Sequence, residues 1–149
     1  LHPRVRRQRQ MCIRDRMDFY KGIDRGEEIL EEMKKAAEAE HVKLATVSAL
    51  GALSSMAVGV YDVEKKQYFG NEFSGALEIV SLTGTITTMN GEYYSHIHLA
   101  AADDKGNVFG GHMNKGIVSA TCEMVITVID GTVEREKDDV TGLNLFKFL

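Results

Sequence analysis

The stretch SHIHLAAADDKGNVFGGH, residues 95–112, predicts a β-hairpin that carries three of the five histidines of the 149-residue chain. Side chains two positions apart in a strand point to the same face. His96 and His98 therefore share one face, and Ile97 points to the other. His112 follows on the second strand, so the hairpin can bring all three imidazoles together.

The turn of this hairpin decides the register. Asp103 to Asn107, DDKGN, is a strong turn signal because Gly106 can adopt the left-handed conformation. A three-residue loop ending at Gly106 would pair Asp103 with Asn107 and place His98 directly opposite His112. Opposite residues hold their Cβ atoms roughly 4.5–5.5 Å apart, with His96 on the neighbouring diagonal.

Two alternatives stay open at this point. A two-residue turn would place His112 opposite Leu99, although a bulge at Gly110-Gly111 would restore the alignment. A single histidine on a strand is ordinarily a polar or half-buried residue with no ligand. Three histidines on one hairpin face favour a metal site.

The type of ligand limits which metal ions can bind. Imidazole nitrogens suit zinc, copper, iron, nickel or cobalt, whereas magnesium and calcium prefer oxygen. We expect zinc, or another divalent transition metal, bound by His96, His98 and His112 with a fourth position open. Glu78 and Glu123 are candidates for a fourth ligand or a general base, the alternative being ordinary strand residues. No nucleophile or substrate pocket is identifiable, so the sequence leaves open whether the protein is an enzyme.

Residues 1–16 differ from the rest of the chain. They contain six arginines, one acidic residue and the only proline. The segment MCIRDR, residues 11–16, resembles translated adaptor or vector sequence. We expect a non-native or disordered basic leader over residues 1–16 and a single domain over residues 17–149 that starts at Met17. The alternative is a basic arm that binds nucleic acid.

The charge balance argues against duplex DNA as a partner of the domain. The chain has 18 basic and 22 acidic residues; without the six arginines and one acid of the leader, 12 basic and 21 acidic residues remain, a net charge of −9. Non-specific DNA affinity arises mainly from cations that neutralise phosphates. Residues 17–149 contain no clustered basic stripe.

The cysteine count and the hydropathy of the chain indicate the cellular compartment in which we expect the protein. With only Cys12 and Cys122, a disulfide framework is excluded, which favours a reducing cytoplasm. We expect Cys122 to be a small core residue. No apolar run reaches the roughly 18–20 residues of a membrane span, so we expect no membrane partner.

Hydrophobic periodicity predicts one helix followed by strands. Asp24 as N-cap and Glu27 three residues later indicate a helix that runs to about Glu40. Strand-like stretches follow from Val42 onward, interrupted at glycines. Residues 134–139, EREKDD, are expected to form a solvated loop or strand edge. The predicted strands are 42–50, 55–61, 67–73, 77–82, 84–89, 94–102, 107–112, 118–129 and a closing strand within 143–149.

One helix cannot cover both faces of a sheet of about seven strands. A neighbouring subunit in a closed ring would cover the remaining apolar surface, and a partly closed barrel is the alternative.

An ordered series of motifs resembles the PPC domain, the plant-and-prokaryote-conserved domain. The resemblance extends from Met17 to about Asp130, and the order of the motifs makes it specific although each alone is weak. The motifs are GEEI (26–29), VSALGAL (47–53), GVYD (59–62), LEIVSLTG (77–84), HIH (96–98), DKG (104–106), GGH (110–112) and TCE (121–123).

The resemblance implies an α+β fold with a central, largely antiparallel sheet and a homotrimer. Some stand-alone prokaryotic members hold a metal at the positions that His96, His98 and His112 occupy in this chain, so the resemblance also implies a metal here. Such members are described as candidate DNA-binding or transcription-associated proteins. No AT-hook occurs in this chain. The family's usual Gly-Arg-Phe-Glu-Ile is Gly-Ala-Leu-Glu-Ile at residues 75–79 here, which weakens the inference of shared partners or DNA contact.

Three functions follow as hypotheses. The first is a trimeric, metal-binding PPC-domain protein of the candidate DNA-binding type. The second is a metal-dependent enzyme or small-ligand sensor that uses the open position of the three-histidine site. The third is a scaffold in which the metal stabilises the fold.

Overall fold

The computed structural model describes residues 11–12 and 18–148 and consists mainly of β-strands with one α-helix. Among the described strands, only the pairing of β4 with β7 is parallel. The predicted α+β class, with one main helix and a largely antiparallel sheet, is confirmed. The elements are β1 Met11–Cys12, β2 Phe19–Asp24, α1 Ile29–Ala39, β3 Ala45–Asp62, β4 Gln67–Met89, β5 Glu92–Ala102, β6 Val108–Val128, β7 Glu134–Lys137 and β8 Asn144–Phe146.

The proposed leader, residues 1–16, lies outside the described residues except for the two residues of β1. These pair antiparallel with β2, Met11 opposite Tyr20.

Four long strands pair in a closed circuit. β3 pairs with β4 on one side and with β6 on the other, and β5 completes the circuit by pairing with both β4 and β6. β2 extends the sheet beyond β6, and β7 and β8 extend it beyond β4. At His98, β5 therefore has a partner on each side, Thr83 on β4 and His112 on β6. Pairing on both sides fixes which face His98 occupies.

The strands are longer than the sequence predicts because glycines lie inside them, some at bulges, and do not end them. The expected break at Gly51 is a register shift inside β3. A Cβ on Gly51 would lie 2.3 Å from the backbone oxygen of Thr121, so the glycine allows two strands to approach closely. In the same way, residues 67–89 form one strand and residues 108–128 another.

The helix begins later than predicted. Asp24 is the last residue of β2, and the N-cap is Glu28, whose carboxylate accepts a hydrogen bond from the backbone N–H of Glu31 at 2.8 Å. The carboxylate of Glu27 does accept from the N–H of Asp24, at 2.9 Å. An antiparallel bridge from Glu28 to Ile117 keeps the chain extended up to the cap. The helix start is therefore set by a tertiary contact.

The core lies between α1 and the strands. Ile29, Met33 and Ala37 form the buried stripe of α1, which packs against β6 and β2. Cys122 is fully buried, as expected. No helix in the described part of the chain is long and apolar enough to cross a membrane.

The expectation for residues 134–139 is wrong in one respect. Glu134–Lys137 forms β7, and Arg135 within it is only 5% exposed. Glu136 and Lys137 are exposed as expected. Alternation along β7 turns Arg135 inward while its neighbours face outward.

Gly84→Ala should destabilise the protein because β4 and β5 approach too closely at this position for a side chain. A Cβ there would lie 2.1 Å from the backbone oxygen of His96. We expect a loss of about 1–3 kcal/mol, measured by urea unfolding. Gly22→Ala is the control, since nothing lies within 4 Å of its Cβ position. Equal stability of the two variants would contradict this packing.

Candidate metal centre

The β5–β6 hairpin places its histidines in the predicted register. His98 pairs directly with His112, and Leu99 pairs with Gly111 without a bulge. Ile97 points to the opposite face and is 2% exposed. Burial of Ile97 and Leu99 therefore anchors β5 and turns His96 and His98 to the other side.

The turn has the predicted three-residue geometry. The N–H of Asp103 donates to the carbonyl of Asn107 at 2.9 Å, and Gly106 has a φ of +79°. The Asp103 carboxylate also accepts from the backbone N–H groups of Lys105 and Asn107, each at 2.9 Å. These bonds hold the register that sets His98 opposite His112.

The three imidazoles converge. Ring centroids are 5.1 Å apart for His96 and His98, 5.1 Å for His96 and His112, and 5.9 Å for His98 and His112. One nitrogen from each ring lies within 4.8 Å of the others. Two nitrogens of a tetrahedral zinc site are about 3.3 Å apart, given zinc–nitrogen distances of about 2.0–2.1 Å. Small side-chain rotations would close the difference, so the donor set fits a transition metal ion.

Burial favours the metal-binding form of two of these rings. Burial lowers the pKa of His96, and charge on His112, on His98 and on Arg135 lowers it further. Burial, followed by His98, also lowers the pKa of His112. Metals bind neutral imidazole, so protons compete for these two rings only below their ordinary pKa of about 6.5. Without metal, the lowered pKa values of His96 and His112 do not change the free energy of unfolding above about pH 6.5. Below that pH the protein becomes less stable, because these histidines take up protons more readily in the unfolded chain.

Glycines allow the strands around the site to approach closely. A Cβ on Gly111 would lie 2.5 Å from the backbone oxygen of Gly59, and Gly59 itself is opposite His112. A side chain at Gly111 would push β3 and β6 apart, and one at Gly59 would meet the backbone oxygen of Phe69 on β4 at 2.4 Å. The residue before His112 must therefore be small for the triad to form.

Tyr68 packs beside the triad from β4. Its ring meets His112 edge-on with centroids 6.4 Å apart. Its hydroxyl donates to the backbone oxygen of His112 at 3.3 Å and also contacts the side-chain oxygen of Asn114. Burial raises the pKa of Tyr68, so the phenol stays protonated and acts as a donor. Tyr68 supports the segment that carries His112.

Arg135 is the neighbour that the sequence analysis missed. Its Nη2 donates to Thr85 at 3.3 Å, and Thr85 is the β4 partner of His96. The alternation of charge in the segment EREK was the available signal, because it places Arg135 on a different face from Glu134 and Glu136.

The two candidate carboxylates are not part of the cluster. Glu78 pairs with Ala102 at the far end of β5. Glu123 pairs with Gly22 and Leu50, farther along β6. Among the described residues, the one cluster that could hold a metal ion consists of the three histidines alone. Cys122 is also outside it, and burial raises the pKa of its thiol to about 12, which makes it unreactive.

Curated relatives match part of this chain. Bifunctional protein GlmU from Synechococcus sp. (strain JA-3-3Ab) is 29% identical over 120 residues, which cover 78% of this chain. The match spans only 18% of the length of GlmU, so the activities of that whole protein do not transfer.

Solved structures share the fold. A metal-containing protein from Archaeoglobus fulgidus is 30% identical, with a TM-score of 0.83 over 97% of this chain and 100% of that one. A candidate DNA-binding protein from Bacteroides thetaiotaomicron is 21% identical, with a TM-score of 0.89 over 95% and 97%. Acetolactate decarboxylase from Bacillus subtilis subspecies spizizenii is 17% identical, with a TM-score of 0.56 over 78% and 54%. The last two show likeness of fold alone.

The family assignment rests on the greater part of the chain. The model of the Plants and Prokaryotes Conserved (PCC) domain matches residues 18–130, from the start of β2 to just beyond the end of β6. This interval contains the histidine cluster and the whole closed circuit of strands. The chain therefore belongs to the plant-and-prokaryote-conserved domain family, the PPC family that its motifs resemble.

Proposed function

We propose that this protein binds one divalent transition metal ion per chain, zinc first among them, through His96, His98 and His112. The observation that carries the proposal is the convergence of three imidazole nitrogens within 4.8 Å on one sheet face. A donor set of nitrogens without carboxylates favours zinc, cobalt, nickel or copper over magnesium or calcium. The metal-containing relative from Archaeoglobus fulgidus, 30% identical, supports a metal in this fold.

The role of the metal follows from the number of ligands. Three protein ligands leave one position open, as in catalytic zinc sites, whereas structural zinc sites are usually closed by four protein ligands. When bound, the ion would supply a Lewis-acid position that polarises a coordinated oxygen. The three histidines would hold the ion, and Tyr68 would hold the segment of His112. A pure scaffold role is less consistent with an open position.

We further propose a homotrimer of cyclic symmetry, which the resemblance implies. One sheet face carries a groove of about 620 Å³ lined by Tyr20, Leu50, Val80 and Val125 among others. Leu50 is 62% exposed and Val80 is 53% exposed in the single chain. Apolar side chains on a sheet face that the helix does not cover favour burial against a copy of the chain.

DNA binding is the function suggested for the neighbour from Bacteroides thetaiotaomicron. The net charge of −9 for residues 17–149 opposes it, because few cations are available to release counterions from phosphates. We propose that the domain does not bind duplex DNA by itself. Any action in transcription would then require a partner protein. The reduced state expected of the cysteines favours the cytoplasm as the proposed compartment.

A second candidate function is a metal-dependent enzyme or small-ligand sensor. The open metal position favours it, and the fold likeness to acetolactate decarboxylase is consistent with it. No catalytic residue is assigned to this chain.

His98→Ala should abolish stoichiometric metal binding, because it leaves two of three ligands. We expect about one zinc per chain in the wild type and less than about 0.2 in the variant, measured by elemental analysis after dialysis at pH 7.5. Dialysis at pH 4.5 should release the metal from the wild type through protonation of the imidazoles.

His41→Ala is the matched control, since His41 is an exposed histidine outside the cluster. It should retain the wild-type metal content. Equal metal content in the wild type and the His98 variant would refute the three-histidine site.

Leu50→Asp should dissociate the trimer, because it places a charge in the proposed interface. Light scattering coupled to gel filtration should give three chain masses for the wild type and one for the variant. Val140→Asp, at a residue 79% exposed and away from this face, should remain trimeric. A wild-type mass of one chain, or a trimeric Leu50 variant, would contradict the assembly.

Residues 17–149 should show no duplex affinity stronger than roughly 10⁻⁴ M at low salt, because their net charge is −9 and their sequence contains no clustered basic stripe. The full chain, with six more arginines, should bind weakly and lose affinity as salt rises. Fluorescence anisotropy of a labelled duplex between 20 and 200 mM salt measures both. Salt-sensitive binding by residues 17–149 would restore the DNA-binding hypothesis.

A further inference from the structure

Arg135 is a buried cation with no counter-ion among the described residues. It is 5% exposed, and no described carboxylate lies within ion-pair distance of its guanidinium. Burial of an unpaired charge is costly unless something compensates for it. Arg135 also lies beyond the interval of the family match, in β7.

Neutral groups hold the guanidinium in place. Nε donates to Thr87 Oγ1 at 2.9 Å, Nη1 to the backbone oxygen of Asn144 at 2.8 Å, and Nη2 to Thr85 Oγ1 at 3.3 Å. The guanidinium carbon lies 4.9 Å from the ring centroid of Tyr94 and 4.4 Å from that of Phe146. Three of the five N–H donors are therefore used, all on uncharged acceptors, and the positive charge is not neutralised.

The guanidinium reaches toward the histidine cluster. Thr85 is directly opposite His96 on the adjacent strand, so their side chains share a face with Cβ atoms roughly 4.5–5.5 Å apart. Nη2 of Arg135 is bonded to that same Thr85. The fixed charge is therefore bonded to the residue opposite His96, on the face of the sheet where the three imidazoles converge.

We propose that Arg135 and the metal together form a site for a small carboxylate anion. One oxygen of the anion would occupy the open metal position, and its negative charge would lie next to the guanidinium. This inference rests on the proposed metal site. A carboxylate matches the planar donors of arginine and is a good ligand for zinc or cobalt. Arg135 then acts as a specificity-determining residue that selects anions over neutral ligands.

The simpler role for Arg135 is to attach the β7–β8 hairpin to β4 and β5. That role predicts lower stability on substitution and an unchanged affinity for lactate in a folded Arg135 variant. The two roles are separable because the lactate affinity and the folding stability of an Arg135 variant are measured independently.

The test uses the full chain loaded with Co²⁺, whose visible spectrum reports its ligands. Titration with sodium lactate should change the spectrum saturably, whereas lactamide, the neutral analogue, should not. Arg135→Gln should load Co²⁺ to the wild-type stoichiometry and require at least tenfold more lactate. Lys147→Gln removes an exposed cation just beyond β8, whose partner is Glu136, and should leave lactate binding unchanged.

The outcomes are distinguishable. A chain that does not take up Co²⁺ refutes the proposed metal function. A chain that takes up Co²⁺ but responds to neither ligand, or equally to both, refutes the carboxylate site and leaves the metal site standing. The wild-type comparison of lactate with lactamide decides this even if Arg135→Gln does not fold. Equal lactate binding by wild type and a folded Arg135→Gln would remove Arg135 from the site.

Discussion

The backbone pairing of β5 with its two neighbours is the constraint on which the candidate site depends. His98 lies opposite Thr83 on one side and His112 on the other, so β5 cannot slip without breaking two ladders. A slip of one residue would turn both β5 histidines into the core and Ile97 out to solvent. The core side chains and the candidate metal ligands of β5 therefore lie on opposite faces of the same strand.

Electrostatics links the cluster to the C-terminal hairpin. Partial burial favours neutral His96 and His112, and the cation of Arg135 acts on His96 in the same direction. Neutral rings are ready to bind a metal ion, and the combined positive charge of that ion and Arg135 would favour an anion beside them. β7 therefore adds a charge next to a cluster whose three histidines all come from β5 and β6.

The turn and the strand register next to the histidines could be predicted because they depend on residues close together in the sequence. The Asp103 to Asn107 turn and the register of His98 with His112 follow from one left-handed glycine and the alternation of a strand. The division into short strands was wrong because Gly51 permits a bulge inside β3, and no local signal separates a bulge from a strand end. The predicted start of the helix was wrong because the bridge from Glu28 to Ile117 joins residues far apart in the chain.

The amino-acid sequence was enough to identify the candidate ligand chemistry, three imidazoles on one hairpin face, because strand alternation and one turn place them together. The surroundings of these imidazoles became known from the three-dimensional fold. It placed Glu78 and Glu123 away from the cluster and brought Arg135 next to Thr85, from a strand that begins more than twenty residues beyond His112. Turn geometry acts over a few residues, whereas the position of a distant charge depends on how the long strands bend and close on one another.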